Sequence, residues 1–151
     1  MNMKKLSMIL TTLFGIGILI FNSCGTVPIT GRRQLNLVSD GEILAASATQ
    51  YRQFISKSQL SRNSTYNNKV TQVGRRLAAA TNIYLKQNGY ESMLSTLNWE
   101  FNVVDSKQVN AFCMPGGKIV VYTGLLNLVG NGAHSDDELA AVMGHELSHA
   151  L

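Results

Sequence analysis

At 151 residues the chain has room for one modest domain. Its charged content of 15% is well below the about 25% usual for a soluble domain. Two of the thirteen basic residues behind the net charge of +4 are Lys4 and Lys5; the rest are scattered apart from the doublets Arg32-Arg33 and Arg75-Arg76, with no basic stripe and no interleaved aromatics, so no nucleic-acid partner is expected.

The charge shortfall has a local cause. Leu6 to Phe21, LSMILTTLFGIGILIF, contains no charged residue and follows Lys4 and Lys5. A basic start and an apolar run of this length read as a secretory signal. The run is shorter than the ~20 residues that comfortably span a bilayer, so an uncleaved anchor is the weaker alternative. Directly after it comes Cys24, in FNSCG. This arrangement resembles a bacterial lipobox, with Ser23 as the small residue before the cysteine. The resemblance implies a signal peptide over residues 1–23, diacylation of Cys24 and a membrane contact through the lipid. Ordinary cleavage near Ser23, leaving a free thiol, is the alternative. Each buried methylene contributes ~0.8 kcal/mol, and stable anchoring takes more than one acyl chain. Gly25 is not the aspartate that retains enterobacterial lipoproteins at the inner membrane. The expectation is therefore a bacterial cell-envelope protein anchored at the outer membrane. With Cys24 acylated, Cys113 has no partner and a disulfide framework is excluded.

Residues 24–38 include Pro28 and Gly31 and lack a helical period, so they read as an extended tether. The domain proper is expected over 39–151. Ser39-Asp40-Gly41-Glu42 has the pattern of a capping box. Ile43, Tyr51, Phe54 and Ile55 then recur at helical spacing, predicting a helix to about Ser56. After the break SRNST, the residues Tyr66, Val70, Val73, Leu77, Thr81 and Tyr84 predict a second helix, with Gly89 as its left-handed stop. Asn63-Ser64-Thr65 matches a glycosylation acceptor and is read as a chance match. The period then changes. Trp99, Phe101 and Val103 alternate with polar residues, and Asn110–Met114 and Lys118–Tyr122 form two more strands around a Pro115-Gly116-Gly117 turn. Helix returns at Leu125. Ser135-Asp136-Asp137-Glu138 reads as a second capping box, with His134 before it as a solvated loop residue. Leu139, Val142, Met143 and Leu147 make the apolar side of the last helix. The class is α+β, with N-terminal helices, a small antiparallel sheet with a hairpin, then a further helix.

That last helix carries His145-Glu146-Leu147-Ser148-His149. Residues four apart share a helix face, with Cβ atoms ~5–6 Å apart. Neutral imidazoles at that spacing suit Zn2+, which takes nitrogen donors at ~2.0–2.1 Å. Glu146 is rotated about 100° from His145. From there its carboxylate can reach a water in an open metal position and act as general base. Gly144 interrupts the helix at ~1 kcal/mol relative to alanine, which is explained if another backbone passes close to the metal. Cys113 is not a nucleophile candidate, since no basic residue or helix start lies nearby to lower its pKa.

WEFNVVDSKQVNAFCMPGGKIVVYTGLL followed by DDELAAVMGHELSHAL closely resembles the zinc metallopeptidases that include HtpX, the CAAX prenyl proteases and a mitochondrial inner-membrane quality-control protease. It looks most like their bacterial lipoprotein branch, and PITGRRQLNLVS and VGRRLA extend the match. The resemblance implies a zinc-dependent endopeptidase acting on protein or peptide substrates, with envelope quality control as its setting. It makes His145 and His149 the first two zinc ligands and Glu146 the base. It places Asn110 and Ala111 on the strand bordering the substrate cleft, where a peptide would pair as an added strand. The plainer reading of Asn110 is a strand-end polar residue that satisfies local backbone. The family's third ligand is a glutamate on a later helix, and the chain ends first. Glu138 lies on the face of His145 but ~10 Å along the axis. The expectation is thus the N-terminal part of a catalytic domain that holds zinc weakly and leaves the apolar face of its last helix without its full cover. The competing reading is a non-catalytic lipoprotein fragment or binding protein.

Overall fold

A computed structural model of the chain describes residues 24–26, 33–35 and 38–151. The export run and its cleavage point lie outside the described residues. No described helix is long and apolar enough to cross a membrane. The chain divides into two units, Met1–Ser39 and Asp40–Leu151.

In the first unit, strand β1 (Cys24–Thr26) pairs antiparallel with β2 (Arg33–Leu35), with Cys24 opposite Leu35. The stretch expected as a plain tether therefore pairs part of its backbone with itself.

The second unit begins with α1 (Asp40–Lys57). Asp40 and Glu42 sit in its first turn and Lys57 in its last, complementing the helix dipole at both ends. Tyr51 is buried, with Phe54 and Ile55 half-buried beside it, while Ile43 remains exposed. Helix α2 (Ser64–Gln87) starts at Asn63, whose Oδ1 accepts hydrogen bonds from the Thr65 and Tyr66 amides at 3.0 and 3.3 Å. That capping role accounts for the Asn-Ser-Thr triplet. The core stripe of α2 runs through Val70, Val73, Ala78 and Leu85, with Leu77 partly buried beside it. Tyr84, expected on this stripe, is exposed. Gly89 follows with φ +79°, as its position requires.

A 3-10 turn (Glu91–Thr96) leads to β3 (Glu100–Val104), β4 (Ala111–Met114) and β5 (Lys118–Tyr122). The strand order is β3-β5-β4. The β4–β5 hairpin is antiparallel, but β3 and β5 run parallel, so the sheet is mixed and not wholly antiparallel. The reason lies in β5. Ile119, Val120 and Val121 are all fully buried, so this strand needs cover on both faces and takes the centre. At the hairpin, Gly116 and Gly117 both have positive φ, and a Cβ on Gly117 would lie 2.7 Å from Trp99 Cε3.

One sheet face carries Val103, Ala111, Ile119 and Val121 and packs against α2 and the last helix. The other carries Val104, Val120 and Phe112 and packs against Tyr51, Phe54 and Ile55 of α1. A Cβ on Gly74 of α2 would lie 2.4 Å from Phe101 Cδ1, so the missing side chain is what lets β3 approach. Below the sheet, Lys118 reaches Glu100 and the Asn98 carbonyl, and Asn102 donates to the Tyr51 hydroxyl at 2.6 Å.

Helices α3 (Thr123–Val129) and α4 (Ser135–His149) complete the unit. The expected capping box at Ser135 does not form. Ser135 is the first helical residue, and its Oγ accepts from Lys69 Nζ at 2.6 Å. The same ammonium reaches the Gly130 carbonyl at 2.9 Å and the Asp136 carboxylate at 3.4 Å. His134 occupies the cap position without a capping side-chain bond, exposed and 3.8 Å from Asp137. The apolar side of α4 is covered within the unit: Leu139 and Met143 are fully buried and Leu147 nearly so. Each such side chain contributes ~1.5–3 kcal/mol. The expectation of an incompletely covered face was therefore wrong for these residues, because α2 and the sheet already pack on them.

Candidate metal centre

Helix α4 lies over β4, and its outer face carries the histidines. His145 and His149 are both exposed, and their Nε2 atoms converge to 3.2 Å. The rings meet edge to face, with centroids 4.7 Å apart at 87°. One imidazole can donate to the other. Two nitrogens bound at ~2.0–2.1 Å in a tetrahedral site lie roughly 3.3 Å apart, so the pair is already spaced to chelate one ion. The chemistry of the donors and their separation both fit zinc. Among the described residues no group of three His, Cys, Asp or Glu could hold a metal, and Glu138 does not join the pair.

Gly144, the residue before the first histidine, has a simpler environment than expected. The nearest atom a Cβ there would meet is Leu77 Cδ2 at 3.7 Å, an ordinary contact, and no described backbone passes within 4 Å.

Glu146 is half-buried on α4, the helix that packs on β4. Its charge is felt by Cys113 on that strand. Burial first, and the Glu146 carboxylate second, push the Cys113 thiol up to about 12. A thiol held neutral in this way is no nucleophile, in line with the sequence reading.

The sheet has two edges, and they differ. Along β3, Leu60 bridges Val104; the Ser61 amide donates to the Val103 carbonyl at 2.8 Å and the Asp105 amide to the Gln59 carbonyl at 2.8 Å. Along β4 no further strand is paired among the described residues. The Tyr122 amide donates to the Asn110 carbonyl at 3.0 Å, which sets the alternation: the main-chain groups of 110, 112 and 114 face β5, and those of 111 and 113 face outward. Asn110 precedes the strand and is exposed, and its Oδ1 accepts from the Ala111 amide at 2.9 Å. That is the local, strand-end role. The strand with the open edge packs against α4, the helix that carries the histidine pair. The loop that delivers β4 is held to α3 by the Gly124 amide, which donates to the Ser106 carbonyl at 2.8 Å.

Lys69 was not singled out from the sequence. It ties α2 to the start of the histidine-bearing helix, and a lone lysine within a helix carries no local signal of such a contact.

A helix that brings two histidine nitrogens within 3.2 Å, with a carboxylate next to the first, has the geometry of two metal donors and a base. The model for peptidase family M48 matches residues 64–151, and the chain belongs to that family. It is 32% identical over 142 residues to the mitochondrial metalloendopeptidase OMA1 of Danio rerio, covering 92% of this chain and 27% of that protein. It is 50% identical over 66 residues to the mitochondrial metalloendopeptidase OMA1 of Arabidopsis thaliana, covering 44% of this chain and 13% of that protein. It is 43% identical over 49 residues to the metalloprotease LoiP of Escherichia coli, covering 32% of this chain and 18% of that protein. The chain thus spans about a quarter or less of the length of these relatives.

Proposed function

We propose that this chain carries part of the catalytic domain of a zinc-dependent endopeptidase, anchored through Cys24 to a bacterial envelope membrane. The observation that carries the reading is the 3.2 Å separation of the His145 and His149 Nε2 atoms. These two histidines would hold zinc, and a third donor, a glutamate by family resemblance, would complete the site. Bound zinc supplies Lewis acidity toward a peptide carbonyl and lowers the pKa of a coordinated water to roughly 7. Glu146 takes the proton from the attacking water and passes it to the leaving amine. The open edge of β4 aligns an extended substrate as an added strand. There the Asn110 carboxamide must give up the Ala111 amide before a substrate carbonyl can take it. Proteins or peptides of the envelope are the proposed substrates, with quality control as the setting and the outer membrane as the site of anchoring.

The competing reading is a non-catalytic lipoprotein that binds a partner. Calorimetric titration with zinc separates the two. Weak zinc uptake that disappears in His149→Ala supports the peptidase reading. No zinc uptake, in a protein that still folds, supports the binding protein.

A further inference from the structure

Charge is unevenly divided within the unit that holds the histidine pair. All nine acidic residues of the chain lie between Asp40 and Glu146, yet α2 contains none. This 24-residue helix carries Lys69, Arg75, Arg76 and Lys86. Lys69 is turned inward to Ser135 and Asp136. Arg75, Arg76 and Lys86 are exposed and make no ion pair among the described residues.

These three cations share one face with an exposed aliphatic side chain. Ile83 is 56% exposed. It lies nine positions from Gly74, about two and a half turns at 3.6 residues per turn, so it points directly away from the side of α2 that meets Phe101. Arg76 is seven positions before Ile83 and Lys86 three after it, which puts both on the Ile83 side of the helix. Ala79 and Ala80 between them are exposed and small, leaving the cations unobstructed. Tyr84, 46% exposed, lies at the margin of this face. A core-packing account explains none of these residues, since the buried stripe of α2 lies on the other side.

We infer that the outer face of α2 is a docking surface for an anionic lipid bilayer, with Arg75, Arg76 and Lys86 on the headgroups and Ile83 at the headgroup–acyl boundary. Cations beside an aliphatic tip on a convex helix match a lipid surface, where each lysine or arginine near the headgroups adds attraction. Single-stranded nucleic acid is instead met by a groove with stacked aromatics, which this face lacks. Binding here would lay α2 against the membrane and turn the opposite side of that helix, with the sheet and α4, away from it. The inference is independent of the peptidase reading and requires no metal.

The test uses the full chain with vesicles of phosphatidylcholine alone and of phosphatidylcholine mixed with phosphatidylglycerol. An acyl chain binds both alike, whereas Lys4 and Lys5 before the apolar run favour anionic vesicles, so the readout is the change in anionic preference on substituting the α2 cations. The wild-type chain is expected to show such a preference, weakening as salt rises. Replacing Arg75, Arg76 and Lys86 by glutamate should reduce it on the order of 100-fold, at ~1 kcal/mol per cation. A control variant with Arg52, Lys57 and Arg62 replaced by glutamate carries the same change in net charge and should keep the preference. A glutamine version of the α2 variant, with helicity matched to wild type by circular dichroism, guards against loss of fold and should reduce the preference too. No preference in the wild type, or equal loss in the control, would overturn the inference. Displacement from the vesicles by a short oligonucleotide that binds the same face more tightly would also overturn it.

Discussion

His145 and His149 hold their Nε2 atoms 3.2 Å apart on the exposed face of α4. The pair is preorganised by the helix, so binding an ion costs little rearrangement of these two side chains. The described residues offer no third donor, so much of the binding free energy of a closed site is absent. We expect the 151-residue chain to take up zinc weakly, to lose it on dialysis, and to lose measurable binding altogether as His149→Ala. Calorimetric titration with zinc checks this. Stoichiometric zinc surviving dialysis would mean that a further donor completes the site.

In a proteolytically active form, Glu146→Gln should keep the metal and lose turnover by ~10²–10⁴-fold. The amide preserves size but cannot accept the proton. Elemental analysis and single-turnover cleavage, measured on the same preparation, separate metal loss from base loss. Near-normal turnover would remove Glu146 from the role of base.

Cys24→Ala should abolish labelling by a fatty-acid analogue in a bacterial host. Labelling that persists in this variant would place the modification elsewhere or dismiss it.

Gly144→Ala should stabilise the fold by about 0.4–1 kcal/mol, because alanine lowers the entropy of the unfolded chain and suits a helix interior. The space is available, since the added Cβ meets only Leu77 Cδ2 at 3.7 Å. Denaturant midpoints of the two proteins decide it. Destabilisation would point to a close neighbour at Gly144 beyond the described residues.

Tyr51 should impose an alkaline limit on stability. Burial pushes its hydroxyl up to about 12, with the Glu100 charge adding to the rise and the hydrogen bond from Asn102 opposing it. Unfolded tyrosine ionises near ~10, so the folded state binds this proton more tightly. The contribution is complete below pH ~10 and is lost as pH rises from there toward ~12. Tyrosinate absorbance should show one of the five tyrosines titrating late, and Tyr51→Phe should remove that late step.

The sequence by itself determined the local features, because their causes lie within a few residues. The spacing of His145 and His149 makes a chelating pair on any helix that contains it. Pro115-Gly116-Gly117 makes a turn wherever two strands flank it. The 3.6-residue and 2-residue periods separated α1, α2 and α4 from β3, β4 and β5. What only the tertiary structure decided depends on residues far apart in the chain. The parallel pairing of β3 with β5 follows from β5 being apolar on both faces and competing successfully for the centre of the sheet. Ser135 resembled a helix cap, but a lysine 66 residues away claims its hydroxyl. Leu85 and not Tyr84 enters the core of α2, because the buried arc is set by the elements packed on it and not by hydrophobicity alone. The position of Glu146 beside Cys113 likewise required α4 to settle on β4. Local geometry comes from steric limits that every chain shares, whereas long-range pairing is settled by which surfaces bury most completely against one another.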